Sequence, residues 1–173
     1  AETLARYRQL EAQTEAQEDM LQGLSLQPAI TTDGRQILVG ANGEFIDELD
    51  SIVESGAEEV GLFRTEFVYL EDPDASEDAL AELYVQVVCR LAPKPVIFRT
   101  LDLGGDKLDP RLAAEPEPNP FLGWRGIRVS LGRPEFFKRQ LRALLRASCH
   151  GPIGIMFPMV CGMDEVIGAK AVL

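Results

Sequence analysis

The chain has 173 residues, of which 46% are hydrophobic and 26% charged, enough apolar material for a core and too much for wholesale disorder or a fibrous class. That length holds one ordinary domain or a large piece of a bigger one. The net charge of −11 argues against a nucleic-acid binder, which needs a basic surface. Residues 1–93 carry 20 acids and 5 bases, whereas residues 94–173 carry 8 and 12, so an anion site is expected to draw on the second half.

Residues 1–22 are rich in Ala, Glu, Gln, Leu and Arg and predict a helix stopping near Gly23. Leu4, Tyr7, Leu10, Met20 and Leu21 are too sparse for a buried helix, which leaves an exposed connector or a coiled coil. Pro28 and the tight turn at Asp33-Gly34 end this leader. Four continuous apolar runs follow, Ile37 to Ala41, Val60 to Phe63, Val96 to Phe98 and Ile153 to Phe157, and they read as strands covered on both faces. Between the first two, Phe45, Leu49, Ile52 and Val53 recur with helical spacing up to Gly56.

Ser76 is placed to cap the next helix, whose stripe is Leu80, Leu83, Tyr84, Val87, Val88 and Leu91, and Pro93 and Pro95 end it. After the third strand comes an irregular stretch with Gly104-Gly105, Pro110, Pro116, Pro118 and Pro120. Asn119-Pro120 then reads as a cap and first turn, and Arg133-Pro134 opens a helix through Ser148. That helix is expected to bury Phe137, Leu141, Leu144 and Leu145 and to leave Lys138, Arg139, Arg142 and Arg146 solvated. Strands alternating with helices point to parallel α/β architecture, either a small open sheet or the first half of a barrel, since a complete (β/α)8 barrel takes about 250 residues.

The chemistry is expected at the C-terminal ends of the strands. The second and third runs each deliver an Arg-Thr pair there, Arg64-Thr65 and Arg99-Thr100. Guanidinium groups stay charged and present a fixed fork of donors, which suits a phosphate or carboxylate. The alternative is structural ion pairing, Arg64 with Glu66 or another acid and Arg99 with Asp102. Lys107 follows in a glycine turn that lacks the pattern of a nucleotide phosphate loop. Trp124 reads as a packing wall, and Arg125 and Arg128 are expected to share one side of a helical turn; Arg125 either completes an anion clamp or binds a helix terminus.

His150, the single histidine, has no acid nearby in sequence and reads as a helix-end residue, not as part of a triad or metal site. Cys89 and Cys149 read as buried neutral thiols, and Cys161 as a thiol near a strand mouth. Three widely spaced cysteines do not suggest a disulfide framework. With no apolar run of 18 residues and no leader pattern, the expectation is a cytoplasmic protein without membrane insertion.

Three segments carry a family resemblance: Gly56 to Phe67 (GAEEVGLFRTEF), Arg99 to Lys107 (RTLDLGGDK) and Asn119 to Arg125 (NPFLGWR). Together with the stretch from Gly151 to Val160, they are similar to the phosphoenolpyruvate-binding barrel of the enzyme I family, the phosphoenolpyruvate-protein phosphotransferases of the bacterial sugar phosphotransferase system. The barrels of pyruvate phosphate dikinase and phosphoenolpyruvate synthase are related. The resemblance implies an α/β fold, namely the first four strand-helix units of a (β/α)8 barrel over residues 29–173, preceded by a helical connector over residues 1–28. It implies that Arg64, Arg99 and Arg125 surround phosphoenolpyruvate, with Asp102 and Lys107 in support.

The same resemblance implies Mg2+ as cofactor, with its ligands beyond residue 173, and a phosphoryl-accepting histidine on a separate domain that His150 does not match. The implied partners are a histidine-containing phosphocarrier protein and a second copy in a homodimer. The start at Ala1 and the stop within a helical pattern suggest a fragment with exposed strand edges. Because it lacks the histidine, metal ligands and distal acid that the resemblance implies, it is expected to be catalytically incomplete. The alternatives are a phosphoenolpyruvate-sensing module without turnover, a relative of pyruvate phosphate dikinase or phosphoenolpyruvate synthase, and a purely structural or interacting fragment. The sequence departs from the family at Gly40-Ala41-Asn42-Gly43, where an apolar residue between Asn and Gly is usual.

Overall fold

The computed structural model describes residues 2–25, 27–104, 119 and 122–173. The predicted Asn119-Pro120 helix start, the glycine turn at Gly105 and the Lys107 side chain therefore fall wholly or partly outside the described residues. The leader is a helix, α1 (Glu2–Ser25), exposed along its length. It is followed by a two-stranded antiparallel hairpin, β1 (Ala29–Ile30) and β2 (Gln36–Ile37), turned at Gly34 with φ of 84°.

The sheet that organises the molecule is parallel and four-stranded, in the order β3 (Gly40–Gly43), β4 (Glu59–Arg64), β5 (Val96–Arg99), β6 (Ile153–Met156). Helices fill each connection. A short 3-10 turn (Ile46–Glu48) and α2 (Leu49–Glu54) join β3 to β4, and α3 (Glu66–Glu71) and α4 (Glu77–Leu91) join β4 to β5. α5 (Ile127–Gly132) and α6 (Pro134–Ala147) precede β6, and α7 (Met163–Val172) follows it. The alternating α/β reading is borne out by this order.

The predicted first strand, Ile37 to Ala41, is displaced. The hairpin around Asp33-Gly34 takes Gln36 and Ile37, leaves Leu38 and Val39 exposed, and lets the chain join the sheet only at Gly40. β4 carries a bulge: Val60 pairs with Val96 and Phe63 with Phe98, three steps against two, and the pairing with β3 also shifts between Val60 and Leu62. Strand alternation is thereby reset, so that both Val60 and Phe63 are buried.

The core is the layer between the sheet and the helices. Phe98 packs edge-on to Phe63 at 5.4 Å and against Tyr84 of α4 at 5.1 Å. α4 forms where expected, with the Ser76 hydroxyl accepting the Ala79 N–H at 3.1 Å and Leu80, Tyr84, Val87, Val88 and Leu91 turned inward. α6 joins the same core through Ala143, Leu144 and Ala147 and leaves Leu145 45% exposed, while its Phe137 and Leu141 form a second cluster with Ile127 of α5 and Ala169 of α7. The basic face of α6 is more engaged than a solvated stripe: Arg142 meets Glu77 at 2.6 Å and Arg146 meets Asp78 at 2.7 Å, tying its last turns to the start of α4. These carboxylates sit at the positive end of α4, and the Arg142 guanidinium beside Glu77 holds its carboxyl below the usual range.

Cys89 and Cys149 are exposed rather than buried, since each falls on a helix face turned away from the sheet. His150 ends a 3-10 turn (Ser148–His150) just ahead of β6, which puts it at the N-terminal edge of the sheet. Among the described residues, no helix is long and apolar enough to cross a membrane.

Candidate functional site

The C-terminal ends of β4 and β5 bring Arg64 and Arg99 side by side, as partners in strand register. Arg99 donates from Nε to Glu66 Oε1 at 3.0 Å, and its Nη1 lies 3.4 Å from Asp102 Oδ2. The other oxygen of Asp102 accepts from Arg125 Nε at 2.9 Å. A chain of alternating charge therefore runs Glu66, Arg99, Asp102, Arg125 across one strand mouth. The Glu66 and Asp102 side chains are 8% and 7% exposed, so their guanidinium partners take the place of most of their water. Arg64, at 42% exposure, forms an ion pair with Glu44 in the connection after β3, while its Nε is buried without a hydrogen-bond partner among the described residues.

The structure thus brings Arg64, Arg99, Asp102 and Arg125 to one end of one sheet. The ion pairs differ from those read by proximity in sequence: Glu66 binds Arg99 across the strands instead of Arg64, whose acid is Glu44. Arg125 is not on a helix. It precedes α5, bridges to Gly104 as an isolated antiparallel pair, and is followed by Gly126 with φ of 58°, so Arg125 and Arg128 diverge. Arg128 turns instead to the carbonyls of Leu122 and Gly123 at 2.6 and 2.5 Å and to Cys161 Sγ at 2.9 Å. Cys161 is exposed in the connection after β6, near the strand mouth as expected.

Gly104 has a steric reason to be glycine, because a Cβ there would stand 2.4 Å from the Cβ of Arg125. Trp124 packs against the main core, as a wall under the same segment.

Sequence reading missed two members of this site. Glu66 was noted only as a neighbour of Arg64, yet its Oε1 accepts both the Arg99 guanidinium and the Asp102 N–H, each at 3.0 Å. Gln140, wholly buried on α6, reaches the backs of both strand ends. The available signal was a polar residue at a buried phase of an apolar stripe.

A cleft of about 620 Å³ lies elsewhere, between the end of α1 and the N-terminal ends of β3 and β4, lined by Leu21, Leu24, Val39, Ala41 and Ala57 among others. It has volume but no convergent charged groups apart from Glu58, which leaves the arginine mouth as the candidate site. No group of three or more His, Cys, Asp and Glu is arranged to hold a metal among the described residues. Glu66 and Asp102 each hold a guanidinium group through at least one oxygen, so the described residues of the mouth offer no complete ligand set for Mg2+.

A family model described as "PEP-utilising enzyme, PEP-binding domain" matches residues 18–173. The chain is 43% identical over 173 residues to the phosphoenolpyruvate-protein phosphotransferase of Staphylococcus carnosus (strain TM300), covering 99% of this chain and 30% of that protein. It is 42% identical over 174 residues to that of Bacillus subtilis (strain 168), covering 100% and 30%, and 45% identical over 151 residues to that of Latilactobacillus sakei, covering 87% and 26%. The chain spans about 30% of the length of the first two relatives. It belongs to the PEP-utilising enzyme family, through the PEP-binding domain of that family.

Proposed function

We propose that residues 29–173 are the first half of a (β/α)8 barrel, that residues 1–28 are a helical connector leading into it, and that the mouth of its strands binds phosphoenolpyruvate. The observation that carries this reading is the meeting of Arg99 and Arg125 on Asp102 at the strand mouth, with Arg64 in register beside Arg99. Phosphoenolpyruvate brings a phosphate and a carboxylate, each matched by a planar guanidinium fork. Glu66 and Asp102 occupy Arg99 Nε and Nη1 and so fix the plane of the guanidinium, and neither contact uses Nη2. The site is preorganised in this sense: its donors are oriented before the ligand arrives.

In the longer protein, the phosphoryl group passes to a histidine of another domain and then to a phosphocarrier protein, with release of pyruvate. The chain's part is to hold the phosphate and carboxylate oxygens while charge redistributes. Mg2+, where the whole enzyme uses it, draws its ligands from outside the mouth described above. A cytoplasmic location and a homodimer complete the proposal. Lys107 belongs to the same rim by resemblance alone. By itself the chain is expected to show negligible turnover in a coupled assay with the carrier protein, because its one histidine does not match the phosphoryl acceptor.

Calorimetric titration of the chain with phosphoenolpyruvate tests the site. Binding is expected, and Arg99→Lys, which keeps the charge but loses the fork, should abolish most of it. Equal affinity in Arg64→Ala, Arg99→Lys and Arg125→Ala would overturn the assignment.

A further inference from the structure

Gln140 lies between residues whose side chains build the apolar face of α6, and it is wholly buried itself. Its amide makes contacts on three different segments. Oε1 accepts the Leu101 N–H at 3.2 Å, and Nε2 donates to Thr65 Oγ1 at 3.0 Å and to the Tyr84 hydroxyl at 3.4 Å. The Thr65 hydroxyl in turn donates a hydrogen bond to the Arg99 carbonyl at 2.8 Å. Chemistry fixes which way the amide points: the Leu101 N–H can only donate, and the Thr65 hydroxyl, having donated to Arg99, can only accept.

Each residue held in this way adjoins the arginine mouth. Thr65 stands between Arg64 and Glu66, and Leu101 directly precedes Asp102. One buried amide thus touches the ends of both strands that deliver the charged groups. We propose that Gln140 is a positioning residue for the anion site, setting the spacing between the ends of β4 and β5 and hence the mutual placement of Arg64, Arg99 and Asp102. The proposal rests on reading that mouth as the phosphoenolpyruvate site. A residue needed only for packing would be apolar here, whereas a polar one specifies a single arrangement because its partners are costly to leave unpaired.

Two substitutions cut the link from opposite sides. Gln140→Leu removes the amide, and Thr65→Val removes the hydroxyl; Thr65→Ser keeps the hydroxyl and serves as the rescue. Affinity for phosphoenolpyruvate is measured by calorimetry on the 173-residue chain, well below each variant's thermal midpoint, alongside NMR hydrogen exchange at the Leu101 amide with Val60 as internal reference. Gln140→Leu and Thr65→Val are expected to weaken binding on the order of tenfold, with Thr65→Ser close to the parent chain. The double variant should be little worse than the poorer single one. In Gln140→Leu, exchange should quicken at Leu101 and not at Val60.

A folded Gln140→Leu variant with a lowered thermal midpoint but unchanged affinity overturns the proposal and leaves Gln140 a core residue. If Gln140→Leu does not fold, the Thr65→Val and Thr65→Ser pair decides in the same way. If the parent chain itself fails to bind phosphoenolpyruvate, the substrate assignment falls. The exchange measurement then stands alone: Leu101 unchanged rejects the link between the strand ends, and Leu101 quickened upholds it.

Discussion

The two ends of the four-stranded sheet are built from different material. At the N-terminal end, the cleft between α1 and the starts of β3 and β4 is largely apolar and offers space without convergent charge. At the C-terminal end, three arginines and three acids interlock, two of the acids almost wholly buried, with a buried amide behind them. The contrast teaches that concavity alone is a poor guide to function in this chain. Packing needs nothing that costs desolvation, so an expensive cluster of charged groups is what singles out the C-terminal end as the candidate site.

Arg99→Ala should separate the ends most sharply. It leaves Glu66 without its guanidinium partner and Asp102 with Arg125 alone, and is expected to cost about 3 kcal/mol in chemical denaturation, with loss of phosphoenolpyruvate binding. Val39→Ser at the other end should change neither, and comparable losses from both substitutions would break the comparison.

Alkali supplies a second probe. Burial pushes the Tyr84 hydroxyl up to about 12 from its usual 10.0, and burial also raises Tyr69. A raised folded value means that this stability is complete below pH 10 and is lost as pH climbs through 12, because the unfolded chain releases its proton first. Denaturation midpoints followed across that window should fall, and should fall less in Tyr84→Phe.

Gly104→Ala forces apart the bridge to Arg125, at an expected cost of about 1–3 kcal/mol for the overpacked contact and roughly tenfold in ligand affinity, read by thermal melts and calorimetry. The smallest effect is expected at Glu44. The three acids balance the three arginines in formal charge, so a ligand must draw Arg64 away from its half-buried carboxylate partner. Glu44→Gln should tighten phosphoenolpyruvate binding by about threefold, and weaker binding would mean that Glu44 orients Arg64 instead of competing for it.

Much of this arrangement is legible in the sequence. β4, β5 and β6 are continuous apolar runs between breakers, and α4 has both a cap at Ser76 and a stop at Pro93, so local pattern and tertiary need agree there. Arg64 and Arg99 can be read as site residues because strand ends in an α/β fold share one face. β3 is less legible, since the same apolar run feeds the hairpin and the sheet, and only the competition between them decides where pairing starts. Arg125 was misplaced because a bridge to Gly104, set by residues about 20 positions away, overrides the local helical pattern. The contacts that Glu66 and Gln140 make are not legible because their partners lie 33 to 75 residues distant, and no periodicity records such a meeting.

The bulge in β4 has a consequence for how this sheet tolerates changes of length. Counted from Val60 to Arg64, the strand holds one residue more than β5 does between Val96 and Arg99, and the surplus falls at Gly61-Leu62. Deleting Gly61 would straighten the ladder yet leave Val60 opposite Val96 and Arg64 opposite Arg99. The strand thus has a slack link, a spot where one residue can come or go over evolutionary time while the same guanidinium groups still meet.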